Sequence, residues 1–81
     1  MTIPEHFLKT LYDLSERELR VIDRYELGKQ LNLPKEETDA IVNLLIDRGR
    51  ITKIAGSSKI MLDLKEKKIL DSEWRQVERD E

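Results

Sequence analysis

LGKQLNLPKEETDAIVNLLIDRGRI, residues 27–51, divides into a short helix, a tight turn and a longer helix closed by a glycine. Leu27 and Leu31 lie one helical turn apart and Leu33 follows the turn. Asn32 tolerates the left-handed conformation that a tight interhelical turn needs. Pro34 opens the second helix, with Glu36 and Glu37 in its first turn, where the helix dipole favours negative charge. That helix runs to about Arg48, and Gly49 suits the position just past its end. Gly28 sits inside the first helix, where glycine weakens the structure by roughly 1 kcal/mol. Its small size is expected to let the second helix approach closely.

Downstream, RITKIAGSSKIMLDL reads as a β-hairpin. Arg50–Ala55 and Lys59–Asp63 are the strands, turning around Gly56, Ser57 and Ser58. Upstream, Thr2 and Glu5 form a capping-box pattern, and Phe7, Leu8, Leu11, Tyr12 and Leu14 recur at helical spacing. Helix 1 is expected over about 3–16. A charged turn follows over Ser15–Arg20, then a very short strand at Val21–Ile22. Asp23 is placed to cap helix 2, expected over about 24–31. The helix pair as a whole spans about 24–48, and the hairpin about 50–63. Asp63 is placed to cap a last helix, expected over about 64–79, whose narrow apolar stripe is Leu70, Trp74 and Val77, with Ile69 at its edge.

Eighty-one residues make one domain with a small core. The expected class is mainly α with a small β-hairpin (α+β), ordered helix, short strand, helix, helix, strand, strand, helix. There is no cysteine, which excludes disulfides and thiolate metal sites. No apolar run approaches the roughly 18 residues of a membrane span, and the N-terminus lacks the pattern of a signal peptide. A cytoplasmic protein with no membrane association is expected. No Gly-rich phosphate loop, nucleophile–base pair or ligand cluster is visible, so no enzyme activity, cofactor or metal is expected. The lone His6 reads as an exposed first-turn residue.

The net charge is −2, but it is unevenly spread. Residues 50–68 carry six Lys/Arg against two Asp/Glu, whereas residues 23–49 carry four against six. A local basic patch attracts polyanions even on a slightly acidic chain.

Leu27, Leu31, Leu33, Thr38, Ile41, Val42, Leu45, Arg48-Gly49 and the hairpin together resemble the winged-helix DNA-binding superfamily. The nearest likeness is to small bacterial and archaeal regulators of the MarR type. The resemblance covers about residues 20–64. It implies a dimeric transcriptional regulator that binds double-stranded DNA, with helix 3 in the major groove and the hairpin, or wing, on the backbone or minor groove.

Set against that role, the residues divide. Projected at about 100° per residue, helix 3 places Thr38, Ile41, Val42 and Leu45 on one face. Glu36, Asp39, Ala40, Asn43 and Asp47 form the opposite face, with Lys35 near its edge. A carboxylate aimed into a groove meets strong negative potential and contributes only by accepting from a cytosine amino group. The wing is more favourable. Arg50, Lys53 and Lys59 flank Ser57 and Ser58, whose hydroxyls and amides suit phosphates. Lys65, Lys67 and Lys68 continue the patch.

The expected DNA contacts are therefore Lys35 and Asn43 on helix 3, and Arg50, Lys53, Ser57, Ser58 and Lys59 in the wing. The alternative is a protein-interaction module whose acidic face, Glu36, Asp39 and Asp47, meets a basic protein partner. Leu70, Trp74 and Val77 either pack back on helix 1 of the same chain or are candidate contacts for self-association through the C-terminal helix, as winged-helix regulators often dimerise outside the helix pair.

Overall fold

Left-handed backbone at two points sets the path of the chain. The computed structural model describes residues 2–16 and 18–75, with Trp74 and Arg75 by backbone alone. Helix α2 (Arg24–Gln30) ends where Asn32 takes φ 57°, and α3 (Lys35–Asp47) ends where Gly49 takes φ 70°. Both ends close in the same way. Leu33 N–H donates to the Gly28 carbonyl (2.8 Å) and Asn32 N–H to Lys29 (3.1 Å). Likewise Arg50 N–H donates to Leu45 (2.9 Å) and Gly49 N–H to Ile46 (2.9 Å). These paired bonds satisfy carbonyls that a helix end otherwise leaves unmatched.

Pro34 stands one position further out than expected. It is the residue before the first helical turn, with φ −63° and ψ 161°, and its ring offers no capping acceptor. Its carbonyl accepts the first bond of the helix, from the Thr38 N–H (2.9 Å), and a second from the Thr38 hydroxyl (3.0 Å). The approach at Gly28 is as close as the sequence suggests. A Cβ built there would lie 2.3 Å from the Thr38 hydroxyl oxygen.

Helix α1 spans Ile3–Leu14, two residues shorter than expected. Thr2 caps it by accepting from the Glu5 N–H (3.3 Å). Ser15, expected in an open turn, is fully buried and its hydroxyl donates to the Leu11 carbonyl (2.7 Å). Glu16 then takes φ 55°, which ends the helix.

The strands are β1 (Ile22–Asp23), β2 (Ile51–Lys53) and β3 (Lys59–Leu62), all antiparallel in the order β1-β3-β2. β1 is displaced by one residue from the expected Val21–Ile22, because Asp23 joins the ladder opposite Lys59 while the exposed Val21 lies outside it. β2 and β3 are shorter than expected. Beyond Lys53 the chain leaves the ladder into a turn where Gly56 takes φ 73°.

Helix α4 (Leu64–Leu70) is capped by Asp63, which accepts from the Lys65 N–H (3.0 Å). One wider, π-helical turn follows at Asp71–Arg75. The last residues of the expected helix, 76–79, lie outside the described residues.

Among the described residues the result is a mixed α+β fold of four helices and a three-stranded sheet. Its core is Phe7, Leu8, Leu11 and Tyr12 from α1, Leu27 from α2, Ile41, Val42 and Leu45 from α3, Ile51, Ile60 and Leu62 from the sheet, and Leu70 from α4. Leu70, a candidate contact for self-association, is 1% exposed. Its side chain fills the core of its own chain, the first of the two alternatives for this stripe. Among the described residues no helix is long and apolar enough to cross a membrane.

Candidate nucleic-acid interface

The turn of the hairpin is tied to α2 and α3 by three consecutive residues, Asp23, Arg24 and Tyr25. Asp23 caps α2 through its Oδ1, which accepts from the Tyr25 N–H (2.8 Å), while its Oδ2 accepts from the Ser58 hydroxyl (2.7 Å). These bonds favour the carboxylate. The Ser58 hydroxyl first, and the Tyr25 amide second, hold Asp23 below its ordinary pKa.

Arg24 is 7% exposed. Its Nε donates to the Ser58 carbonyl (2.9 Å) and its Nη1 reaches Asp39 Oδ1 on α3 (3.4 Å). Tyr25 donates its hydroxyl to the same Asp39 oxygen (2.8 Å). That bond to a carboxylate raises the Tyr25 pKa above its ordinary value. The Lys35 ammonium lies 4.9 Å from the centre of the Tyr25 ring, in cation–π range. Lys35, Tyr25, Asp39, Arg24 and Ser58 thus form one continuous chain of contacts from the start of α3 to the hairpin turn.

This arrangement redistributes the residues expected to bind DNA. Lys53 and Lys59 are exposed, and neither forms an ion pair among the described residues. Lys53 lies opposite Ile60 and so shares the inner face of the ribbon, whereas Lys59, the neighbour of Ile60, belongs to the outer face. The hairpin therefore carries one ammonium on each side. Lys35 and Asn43 are exposed on α3.

Arg50 is not a free wing cation. Its Nη2 and Nε donate to one oxygen of Glu66 (2.8 and 3.1 Å), a carboxylate that is itself buried. Ser58 spends its hydroxyl on Asp23, and Ser57 accepts from the Lys59 N–H (2.9 Å). Lys67 pairs with Asp71 (2.7 Å), the residue that also accepts from the Tyr12 hydroxyl. Lys65 and Lys68 are exposed.

The acidic face of α3 divides as well. Glu36 and Asp47 are exposed. Asp39 accepts from Tyr25 and faces Arg24 at 3.4 Å, so its charge is partly offset within the molecule, while its side chain stays 40% exposed. Trp74 is described by backbone alone and Val77 lies outside the described residues. Among the described residues no three His, Cys, Asp or Glu side chains come together as a metal site.

Arg24, Tyr25 and Glu66 were overlooked as candidates from sequence. The Arg24–Asp39 and Arg50–Glu66 pairs join residues 15 and 16 positions apart across different elements, and local spacing carries no mark of them. Glu66 had a competing local explanation, as the third residue after the Asp63 cap. The sequence matches no protein-family model, and no curated protein or solved structure matches it.

Proposed function

We propose that the chain is a winged-helix domain that binds duplex DNA, with the hairpin as wing, and that it serves as a transcriptional regulator. The observation that carries this is the placement of Lys53 and Lys59. Two exposed ammonium groups stand on opposite sides of a hairpin that is tied to α3 through Arg24. A ribbon charged on both sides can meet phosphates on either side of a groove, and phosphate neutralisation dominates DNA affinity. The uptake of Asp39 by Arg24 and Tyr25 supports the same proposal. It offsets part of one negative charge on the surface α3 would turn toward DNA. Lys35 and Asn43 are then the α3 side chains available to phosphates and bases.

The test is a chemical-shift titration of the labelled chain with a mixed-sequence duplex at low and moderate salt. Shifts at Lys53, Lys59 and the exposed side of α3 that fade with salt are expected. The double variant Lys53→Glu/Lys59→Glu should abolish them. Intact affinity in that variant would remove the wing as the anchor.

A second reading has its own observation. Glu36, Glu37 and Asp47 are exposed on α3 and form no ion pair among the described residues. Absence of DNA shifts even at low salt, with capture of a basic protein that is lost on Asp47→Lys, would favour an interaction module.

A further inference from the structure

We infer that Arg24 is the positioning residue of this surface: it sets the wing against α3 so that both engage one duplex, without touching DNA itself. The inference rests on the DNA-binding proposal above.

The hairpin is poorly equipped to hold its own position. β2 has three residues and β3 four, a ribbon that is marginal alone in water, and β1 adds two residue pairs to β3, Ile22–Ile60 and Asp23–Lys59. Ile51, Ile60 and Leu62 anchor the strands in the core, whereas Ala55 and Gly56 at the turn are exposed. Gly56 at the turn adds conformational freedom. Lysines on such a turn lose affinity, because each must be ordered when it binds.

The tether from α2 removes part of that cost. The Arg24 fork holds the Ser58 carbonyl with one nitrogen and Asp39 of α3 with another, while Asp23 holds the Ser58 hydroxyl. Ser58 directly precedes Lys59, so fixing its main chain fixes where the ammonium starts. The guanidinium is almost wholly buried, which leaves it no role as a surface cation. Its planar fork matters more than its charge. A lysine ammonium is a single point that cannot span both partners in this geometry.

That distinction supplies the test. Arg24→Lys removes the guanidinium bonds to Ser58 and Asp39 and keeps the bond from the Arg24 amide to the Ser58 carbonyl (3.2 Å), Ser58→Ala removes the hydroxyl tether to Asp23, and neither changes the net charge of the protein. Binding of a fluorescent mixed-sequence duplex to the full chain is measured over a range of salt concentrations, beside thermal melting of each variant. Wild-type binding is expected to fall with salt, with a log–log slope of about 0.9 per phosphate contacted. In Arg24→Lys and in Ser58→Ala the slope should drop by about one to two, the share of the wing lysines. Affinity at low salt should fall about tenfold, and melting should stay cooperative. Amide exchange at Gly56–Lys59 should quicken while that at Leu45 and Leu62 does not.

A wild-type protein that binds, with both variants matching its slope and affinity, overturns the positioning role and leaves DNA binding standing. A wild-type protein that does not bind at low salt overturns both. Should Arg24→Lys fail to fold, Arg24→Met decides: it removes both guanidinium bonds, strands no buried ammonium and leaves Asp39 its bond from Tyr25.

Discussion

Arg50 and Glu66 meet through two nitrogens on one carboxylate oxygen, at 2.8 and 3.1 Å, and so join the start of β2 to α4. The pair is partly desolvated, with the Glu66 side chain 9% exposed and that of Arg50 31%. Removing one partner strands the other, whereas removing both leaves no orphan. Glu66→Ala is therefore expected to lower stability by about 2 kcal/mol. The double variant Arg50→Met/Glu66→Leu should recover most of that loss. Chemical denaturation of the two singles and the double checks it. An additive double would mean that the ion pair contributes no coupling.

Gly28 and Thr38 form the closest approach between α2 and α3. Alanine in place of a helical glycine ordinarily adds up to about 1 kcal/mol. Here the new methyl would sit 2.3 Å from a hydroxyl that is fixed by the Pro34 carbonyl and fully buried. Overpacking should win, so that Gly28→Ala destabilises by about 1–3 kcal/mol. In a Thr38→Ala background the obstruction is gone and the same change should be neutral or stabilising. Strong non-additivity in this cycle is the expected signature.

Asp23 makes acid stability a readout of the hairpin tether. Its pKa is lowered in the folded protein, chiefly by the Ser58 hydroxyl and then by the Tyr25 amide. The resulting stabilisation is present above the ordinary value of 3.8 and is lost as pH falls through the lower folded value. Ser58→Ala should move the Asp23 titration back toward 3.8 and reduce the part of the acid unfolding limb that it causes. Carboxyl titration by NMR measures this directly. Tyr25 behaves in the opposite sense. Its pKa is raised by the bond to Asp39, so its contribution is fully present below 10.0 and is lost as pH rises from there through the folded value. Asp39→Asn should bring the phenol back down, as followed by phenolate absorbance.

These tests bear on what a linear sequence can and cannot carry. The left-handed stops at Asn32 and Gly49, the caps at Thr2, Asp23 and Asp63, and the apolar spacing of α1 and α3 are local, and the structure keeps them. The contact between Gly28 and Thr38 was legible because a glycine inside a helix needs a reason. The tethering of the hairpin was not. Nothing in the pattern around Arg24 says that Asp39 and Ser58 lie within reach of one guanidinium. The same limit misplaced Arg50, read as a wing cation when its partner lies across the fold on α4. It also leaves Leu70 undecided, because a helical stripe on a charged segment fits a partner's surface as well as its own core.

Leu70 closes the described core from the C-terminal side, in one cluster with Phe7, Leu8 and Tyr12 of α1. Being 1% exposed, it has no surface to offer a second copy. Leu70→Ala is expected to cost the folded chain about 2–5 kcal/mol, the range for a large-to-small change in a packed interior. That cost should not depend on protein concentration, because it arises within one chain. Thermal melts at two widely separated concentrations distinguish the cases. A midpoint loss that shrinks as concentration rises would instead place Leu70 at an interface between copies, since association stabilises the folded state by mass action.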